Sequence, residues 1–267
     1  MNTERTFRNQ LLSGAPLLGT WIKTPSRVVV EVLAGSRLDL LCLDSEHAPF
    51  DRGDLDAAIF AARALHMPVL VRPASAAPEH LLNCLDLGAD GIVAPHIRSG
   101  NDAERLVQGS LFGPSGRGYA GSTRAAGFTR RTMAEHRERA QNETVIVAQI
   151  EDGEALRNLK DIISVGRIDC LFIGRIDLTV SLGAQSPNEA VVREAAEEIC
   201  RRACEAGMRC GMFLSDRGEI ETWLAKGASL FLLSSDQTFL IEGAQALRSS
   251  FDAAAQPHLK QRKDQTA

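Results

Sequence analysis

Eight short apolar runs recur along the chain, at 17–22, 38–43, 68–72, 91–95, 144–150, 170–174, 209–214 and 230–234. Their interiors are nearly pure Val, Ile, Leu and Phe, the pattern of strands buried on both faces. Amphipathic segments with helical spacing lie between them, among them 54–65, 78–87, 154–163 and 189–206. Asn188 and Glu189 mark the start of the last of these and Gly207 its stop. Strands alternating with helices predict one α/β domain built on a parallel sheet. Eight repeats predict a closed (β/α)8 TIM barrel, expected over residues 1–255, with a polar, basic tail at 256–267 that is expected to fray. One stretch breaks the alternation. Residues 111–140 are rich in Gly and Arg and include Gly113-Pro114-Ser115-Gly116-Arg117-Gly118. A loop of that length in a compact domain is expected to be functional or to meet another subunit.

Composition narrows the picture. The 267 residues suit a barrel of this kind, and 44% hydrophobic with 24% charged residues is ordinary for a soluble globular protein. A net charge of −4 gives no general attraction to nucleic acid or to an anionic membrane. No apolar run approaches the roughly 18 residues that span a bilayer. The first five residues lead into a polar segment without the apolar region of a signal peptide. Six cysteines show no CxxC spacing, and Cys200 and Cys204 would share one helix face as ordinary packing. A cytoplasmic location is expected. Arginines 117, 124, 130, 131, 137 and 139 form a basic stretch without interleaved aromatics. It reads as subunit salt bridges with one or two anion contacts, not as a nucleic-acid surface.

Chemistry is expected where the strands end, because the C-terminal rim of a parallel barrel carries the active site. Glu151 closes the fifth run and Asp177 follows the sixth. Singly, each carboxylate reads equally as a helix cap. Together, one strand apart, they can share one hard divalent cation, and an all-oxygen pair favours Mg²⁺ or Mn²⁺ over zinc. His47, beside Asp44 and Glu46 after the second run, is a candidate acid or base. Arg72, ending the third, can hold a carboxylate through two hydrogen bonds or form a rim salt bridge. His96 is a weaker rim candidate. Only five of the thirty Lys and Arg residues are lysines, and Lys23 alone falls near the rim. An imine-forming route is therefore disfavoured.

These residues resemble those of a known family. Gly19-Thr20-Trp21, Asp44-Ser45-Glu46-His47, Val71-Arg72-Pro73, Leu85-Asp86-Leu87-Gly88-Ala89, Gly116-Arg117-Gly118, Gln149-Ile150-Glu151 and Phe172-Ile173-Gly174-Arg175-Ile176-Asp177-Leu178 are similar, in this order, to the motifs of the HpcH/HpaI aldolases. The resemblance implies a phosphoenolpyruvate/pyruvate-type barrel and a class II, metal-dependent pyruvate aldolase. It implies that Glu151 and Asp177 hold Mg²⁺ or Mn²⁺, with Co²⁺ a further candidate. Arg72 would grip the pyruvyl oxygens. His47 would be the acid/base, acting directly or through a metal-bound water, and Asp86 its partner. Glu46 would stand behind them. Substrate contacts are expected from Arg72, Gln149, Gly174, Arg175, Ile176 and Leu214. Arg175 departs from the family, which usually has proline there; an anion contact at the mouth and an outward structural role are both open. Trimers paired into hexamers are expected.

The expected reaction is reversible cleavage of a 4-hydroxy-2-oxo acid to pyruvate, or a related 2-oxo acid, and an aldehyde, in aromatic or sugar-acid breakdown. The partners are then small molecules and further copies of the chain. Two alternatives stay open: decarboxylation of oxaloacetate at the same site, and a silent barrel that only binds 2-oxo acids.

Overall fold

The computed structural model describes residues 6–264, and of 257–264 only the backbone. Its strands are β1 (Leu17–Ile22), β2 (Leu40–Asp44), β3 (Val69–Arg72), β4 (Gly91–Ala94), β5 (Val145–Ile150), β6 (Cys170–Ile173), β7 (Arg209–Met212) and β8 (Ala228–Ser235). Each pairs in parallel with the next, and β8 pairs with β1, closing the predicted (β/α)8 barrel. The helices are α1 (Phe7–Leu12), α2 (Arg27–Ala34), α3 (Arg52–Ala64), α4 (Pro78–Asp86), α5 (Gly100–Ser110), α6 (Met133–Glu143), α7 (Gly153–Arg157), α8 (Leu159–Ser164), α9 (Arg175–Ser181), α10 (Ala190–Glu205), α11 (Ile220–Ala225) and α12 (Asp236–Asp264).

Successive strand side chains point to opposite faces, so the strands feed two separate cores. Leu40, Cys42, Leu70, Val145, Val147, Cys170, Phe172, Leu230 and Leu232 fill the barrel interior. Their neighbours Leu41, Leu43, Val69, Val71, Ile146, Leu171 and Ile173 pack outward against the helices. Space inside is tight. A Cβ on Gly19 would meet Leu40 and Leu232 at 2.7–2.8 Å, which explains glycine in an otherwise apolar strand. Phe7 and Leu11 of α1 join the interior cluster and close the end where the strands begin. Asp169, buried just before β6, anchors this plug. It accepts from Arg8 Nε at 2.9 Å, from Arg167 Nη1 at 2.9 Å and from the Ile146 N–H at 3.0 Å.

Three elements differ from the sequence expectation. The irregular stretch stops at Thr132, which caps α6 through a reciprocal box with Glu135, so 133–140 is helix. The segment 154–163 divides at Asn158 into α7 and α8. The final helix continues to Asp264 across most of the segment expected to fray; residues 265–267 lie outside the described residues. Leu240, Ile241, Leu247 and Phe251 are all exposed along α12. Among the described residues no helix is long and apolar enough to cross a membrane.

Asp169→Ala would leave two arginines and one backbone N–H without their shared acceptor. Breaking a buried pair from one side costs about 3–5 kcal/mol. Urea unfolding should show a loss of that size, and a loss below about 1 kcal/mol would mean that the plug is a solvated, surface-type contact.

Candidate active site

A cavity of about 390 Å³ opens at the C-terminal ends of the strands, within the range of small-ligand sites. The alternation that fills the interior continues into it. Inward positions Leu40 and Cys42 lead to Asp44, Leu70 leads to Arg72, Val147 to Gln149, and Phe172 to Gly174. Core side chains thus give way to polar ones on the same face within one or two layers.

Arg72 is clamped before any substrate arrives. Its Nε donates to Asp44 Oδ1 at 3.0 Å and its Nη2 to Asp44 Oδ2 at 2.8 Å, with the guanidinium 4.4 Å from the Trp21 ring centroid. Nη1 forms no hydrogen bond among the described residues. Burial alone would raise the Asp44 carboxyl, but the Arg72 hydrogen bonds and charge, with help from the His47 N–H and Lys23, hold it below its ordinary range. Lys23 Nζ stands 3.5 Å from Asp44 Oδ2, so the one rim lysine is engaged in this cluster.

Glu151 is almost wholly buried. The His96 N–H donates to its Oε1 at 2.9 Å, and Gln149 Nε2 donates to its Oε2. His96 reaches this position with a φ of 55°, a left-handed conformation that a non-glycine residue adopts only when its surroundings impose it. Burial, together with the charge of Asp177, pushes the Glu151 carboxyl above its ordinary range despite those hydrogen bonds. Two features fit a divalent cation here. Glu151 and Asp177 repel each other in a desolvated place, and Gln149 Oε1 is buried without a donor. Both are relieved by a positive charge, and the donors are all oxygen, as Mg²⁺ or Mn²⁺ prefers. Among the described residues no group of three or more His, Cys, Asp or Glu is arranged around a metal position. Two carboxylates would thus leave the other coordination positions to water and substrate.

His47 lines the same mouth, half-exposed, with Nε2 3.6 Å from Glu46 Oε2. Glu46 also lies 3.3 Å from Arg72 Nε and 3.6 Å from His96 Nε2. Burial raises its carboxyl even though Arg72 and both histidines pull the other way. It thus connects the histidine to the arginine.

Three more of the expected residues have definite places in the chain, and one of them, Leu214, is corrected. Asp86 does not meet His47 within the chain. Helix α4 runs back down the outside of the barrel from the end of β3 towards the start of β4, so Asp86 sits towards the opposite rim. Its carboxyl is raised by burial and faces the charges of Arg117 and Arg52. Leu214 turns outward into the helix-facing core; with Gly211 inside, the inward residue here is Phe213, which lines the mouth. Arg175 borders the mouth, but its guanidinium is not offered there. Nη1 pairs with Glu219 Oε2 at 2.8 Å and Nη2 donates to the Pro187 carbonyl at 2.9 Å. Gly174, Ile176, Gln149 and Asp177 do line the cavity. Sequence reasoning missed Trp21, Phe172, Asp44 as the clamp on Arg72, and Ser234, whose φ is 60° and whose buried hydroxyl has no partner. The two-residue period counted up from the core would have found the first three.

Gly174 is a further requirement of the site. A Cβ there would sit 2.5 Å from Glu151 Oε2 and 2.7 Å from Glu151 Cβ. Gly174→Ala should displace that carboxylate and weaken Mn²⁺ binding by about 10–100-fold, the usual cost of disturbing a ligand's support. Calorimetric titration of the folded variant checks this; wild-type affinity would remove Glu151 from the metal site.

Comparisons with known proteins give the chain its family. The profile of HpcH/HpaI aldolase/citrate lyase matches residues 17–243. A hydroxypyruvate/pyruvate aldolase of Deinococcus radiodurans is 32% identical, covering 92% of this chain and 89% of its own. A 4-hydroxy-2-oxo-heptane-1,7-dioate aldolase of Escherichia coli is 28% identical, covering 94% and 97%. Among solved structures, an HpcH/HpaI aldolase/citrate lyase family protein from Burkholderia cenocepacia superimposes with a TM-score of 0.86 at 30% identity, over 91% of this chain and 98% of that one. With its closed parallel barrel and its rim of Arg72, Glu151 and Asp177, the chain belongs to the HpcH/HpaI aldolase/citrate lyase family, as an enzyme of the aldolase kind.

Proposed function

We propose that the protein is a divalent-metal-dependent aldolase that reversibly cleaves a 4-hydroxy-2-oxo acid to pyruvate, or a related 2-oxo acid, and an aldehyde. The observation that carries this reading is the meeting, at one mouth, of a preset arginine with a desolvated carboxylate pair. Glu151 and Asp177 would hold the divalent cation, Mg²⁺ or Mn²⁺ with Co²⁺ a further candidate, which would supply Lewis-acid stabilisation of the charge that develops on the 2-oxo acid.

The chain's own residues do the rest. Arg72 offers Nη1 to the pyruvyl oxygens while Asp44 fixes its plane, so little reorganisation accompanies charge development. The backbone around Gly174 and Ile176 borders the place of the substrate carboxylate. His47 takes the proton from the C4 hydroxyl as the C3–C4 bond breaks. The electron pair of that bond passes into the enolate, which takes a proton at C3 to become pyruvate, and the aldehyde leaves. Trp21, Phe172 and Phe213 form the apolar wall that keeps bulk water from the enolate. Ser234 offers a free hydroxyl towards the aldehyde half.

The same reading extends to assembly and location. A homo-oligomer, trimer or hexamer, is supported by the apolar side chains exposed along α12 and by Val28 and Val32 on α2. A cytoplasmic location is supported by six cysteines without paired spacing.

Purified protein with Mn²⁺ and a panel of 4-hydroxy-2-oxo acids, coupled to lactate dehydrogenase, should release pyruvate, and exhaustive chelation should abolish the signal. His47→Ala should lower turnover about 10²–10⁴-fold with Mn²⁺ binding unchanged. Full turnover in that variant, or in chelated protein, would contradict the mechanism. Turnover of oxaloacetate alone would assign a decarboxylase instead, and ligand binding without any turnover would assign a silent barrel.

A further inference from the structure

The basic stretch noted in the sequence has a structural counterpart far from the mouth. A small cleft of about 70 Å³ lies near the N-terminal ends of β4 and β5, bordered by Arg63, Arg117, Arg131, Arg139 and His136 and also by Asp90 and Glu143. Arg117 is only 7% exposed and stacks on Phe112 at 4.2 Å, yet its Nε has no hydrogen-bond partner. His136 is 3% exposed, packs edge-on against Phe112, and its Nε2 has no partner either. Two buried polar nitrogens left unmatched beside one cleft are unusual, because native interiors pair such groups.

The charge around them is only partly cancelled. Arg63 donates to the Gly88 carbonyl at 2.9 Å and Arg131 to the Ala125 carbonyl at 2.5 Å, both neutral acceptors. Arg139 pairs with Glu143 at 2.6 Å. Asp90, whose carboxylate accepts from the Val69 N–H, faces Arg63. Asp86 is within electrostatic reach of Arg117 but forms no hydrogen bond with it. Burial, reinforced by Arg117, Arg131 and Arg139, disfavours a protonated His136.

We propose that this cleft binds a small tetrahedral oxyanion, a phosphate or the phosphoryl group of a small metabolite. Its volume admits such a group and excludes a nucleotide base. Arg131 and Arg63 border the cleft with planar donors suited to phosphate, and Arg117 and His136 lie enclosed in the wall behind it. The ligand would tie the α4–β4 turn at Gly88–Asp90 to α6 and the irregular segment before it, and would stabilise the barrel by mass action.

The test is a titration of inorganic phosphate into the intact protein at constant ionic strength, following the His136 ring protons by NMR. Saturable binding with an upward shift of the His136 pKa is expected. Arg131→Gln should weaken that binding by about tenfold or more, as expected for losing one charge-assisted contact. Arg117→Met tests the buried donor, and if it fails to fold, Arg131→Gln and the His136 signal still decide. Parallel titration with glycerol 3-phosphate separates the two sources: tighter binding of the ester assigns a phosphoryl metabolite, and tighter binding of phosphate assigns the free ion. An unmoved His136 signal, an effect reproduced by chloride, or wild-type affinity in Arg131→Gln would overturn the proposal. Phosphate bound at the mouth would leave both readouts unchanged and so would also count against it.

Discussion

In a closed barrel the two-residue period of each strand is a rigid constraint, because a strand has no freedom to rotate its faces once both neighbours are hydrogen-bonded to it. Whatever follows an interior leucine by two residues must also point inward. Here that rule places Asp44 above Cys42 and Arg72 above Leu70 on adjacent strands, in register with each other. The ion pair at the mouth is therefore a product of strand pairing. It is held by the same ladder that holds the core, and β2 and β3 are wholly buried along their lengths.

The rim divides into two electrostatic halves. On the β2–β3 side, a buried carboxylate is matched to a guanidinium, and Asp44 stays ionised because Arg72 faces it with two hydrogen bonds. On the β5–β6 side, two carboxylates face each other with only the His96 ring, Nδ1 3.4 Å from Glu151 Oε1, beside them among the described residues, and Glu151 is raised. A 2-oxo acid carries the complementary pattern, with negative oxygens for the arginine and a carbonyl able to join oxygen donors around a dication. Gly174 makes the second half sterically feasible, since any side chain there would occupy the space of Glu151.

Much of this was legible in the chain. Alternation of apolar runs and amphipathic segments, broken only at 111–140, is a strong signal, and the strand limits deviate by at most two residues at Leu40, Met212 and Ala228. The rim residues Arg72, Gln149, Glu151, Gly174 and Asp177 follow from strand ends. What was not legible depends on three-dimensional direction. Leu214 is expected at the mouth on the resemblance alone, and the phase of β7 that turns it outward is fixed by Gly211 packing on Leu230 inside the barrel. Within one chain, α4 carries Asp86 away from the mouth, a direction that motif order does not show. Arg175 borders the mouth, and of its two readings the structural one is decided by Glu219 and the Pro187 carbonyl, partners reached only through folding, which take its guanidinium. Thr132 and Glu135 did carry a capping signal for α6.

The central claim is that a preset arginine and a metal-binding carboxylate pair together stabilise a pyruvyl enolate. Proton exchange at the pyruvate methyl group isolates that step, because it needs no aldehyde. With Mn²⁺ removed before NMR readout, the wild-type protein should exchange the methyl protons of pyruvate for deuterium. Asp44→Asn, which loosens Arg72 and leaves Glu151 and Asp177 in place, should slow exchange by about 10²–10³-fold, the scale of losing a preorganised electrostatic contact. Chelation before incubation should stop it. Exchange at the wild-type rate in Asp44→Asn, or in chelated protein, would contradict the account.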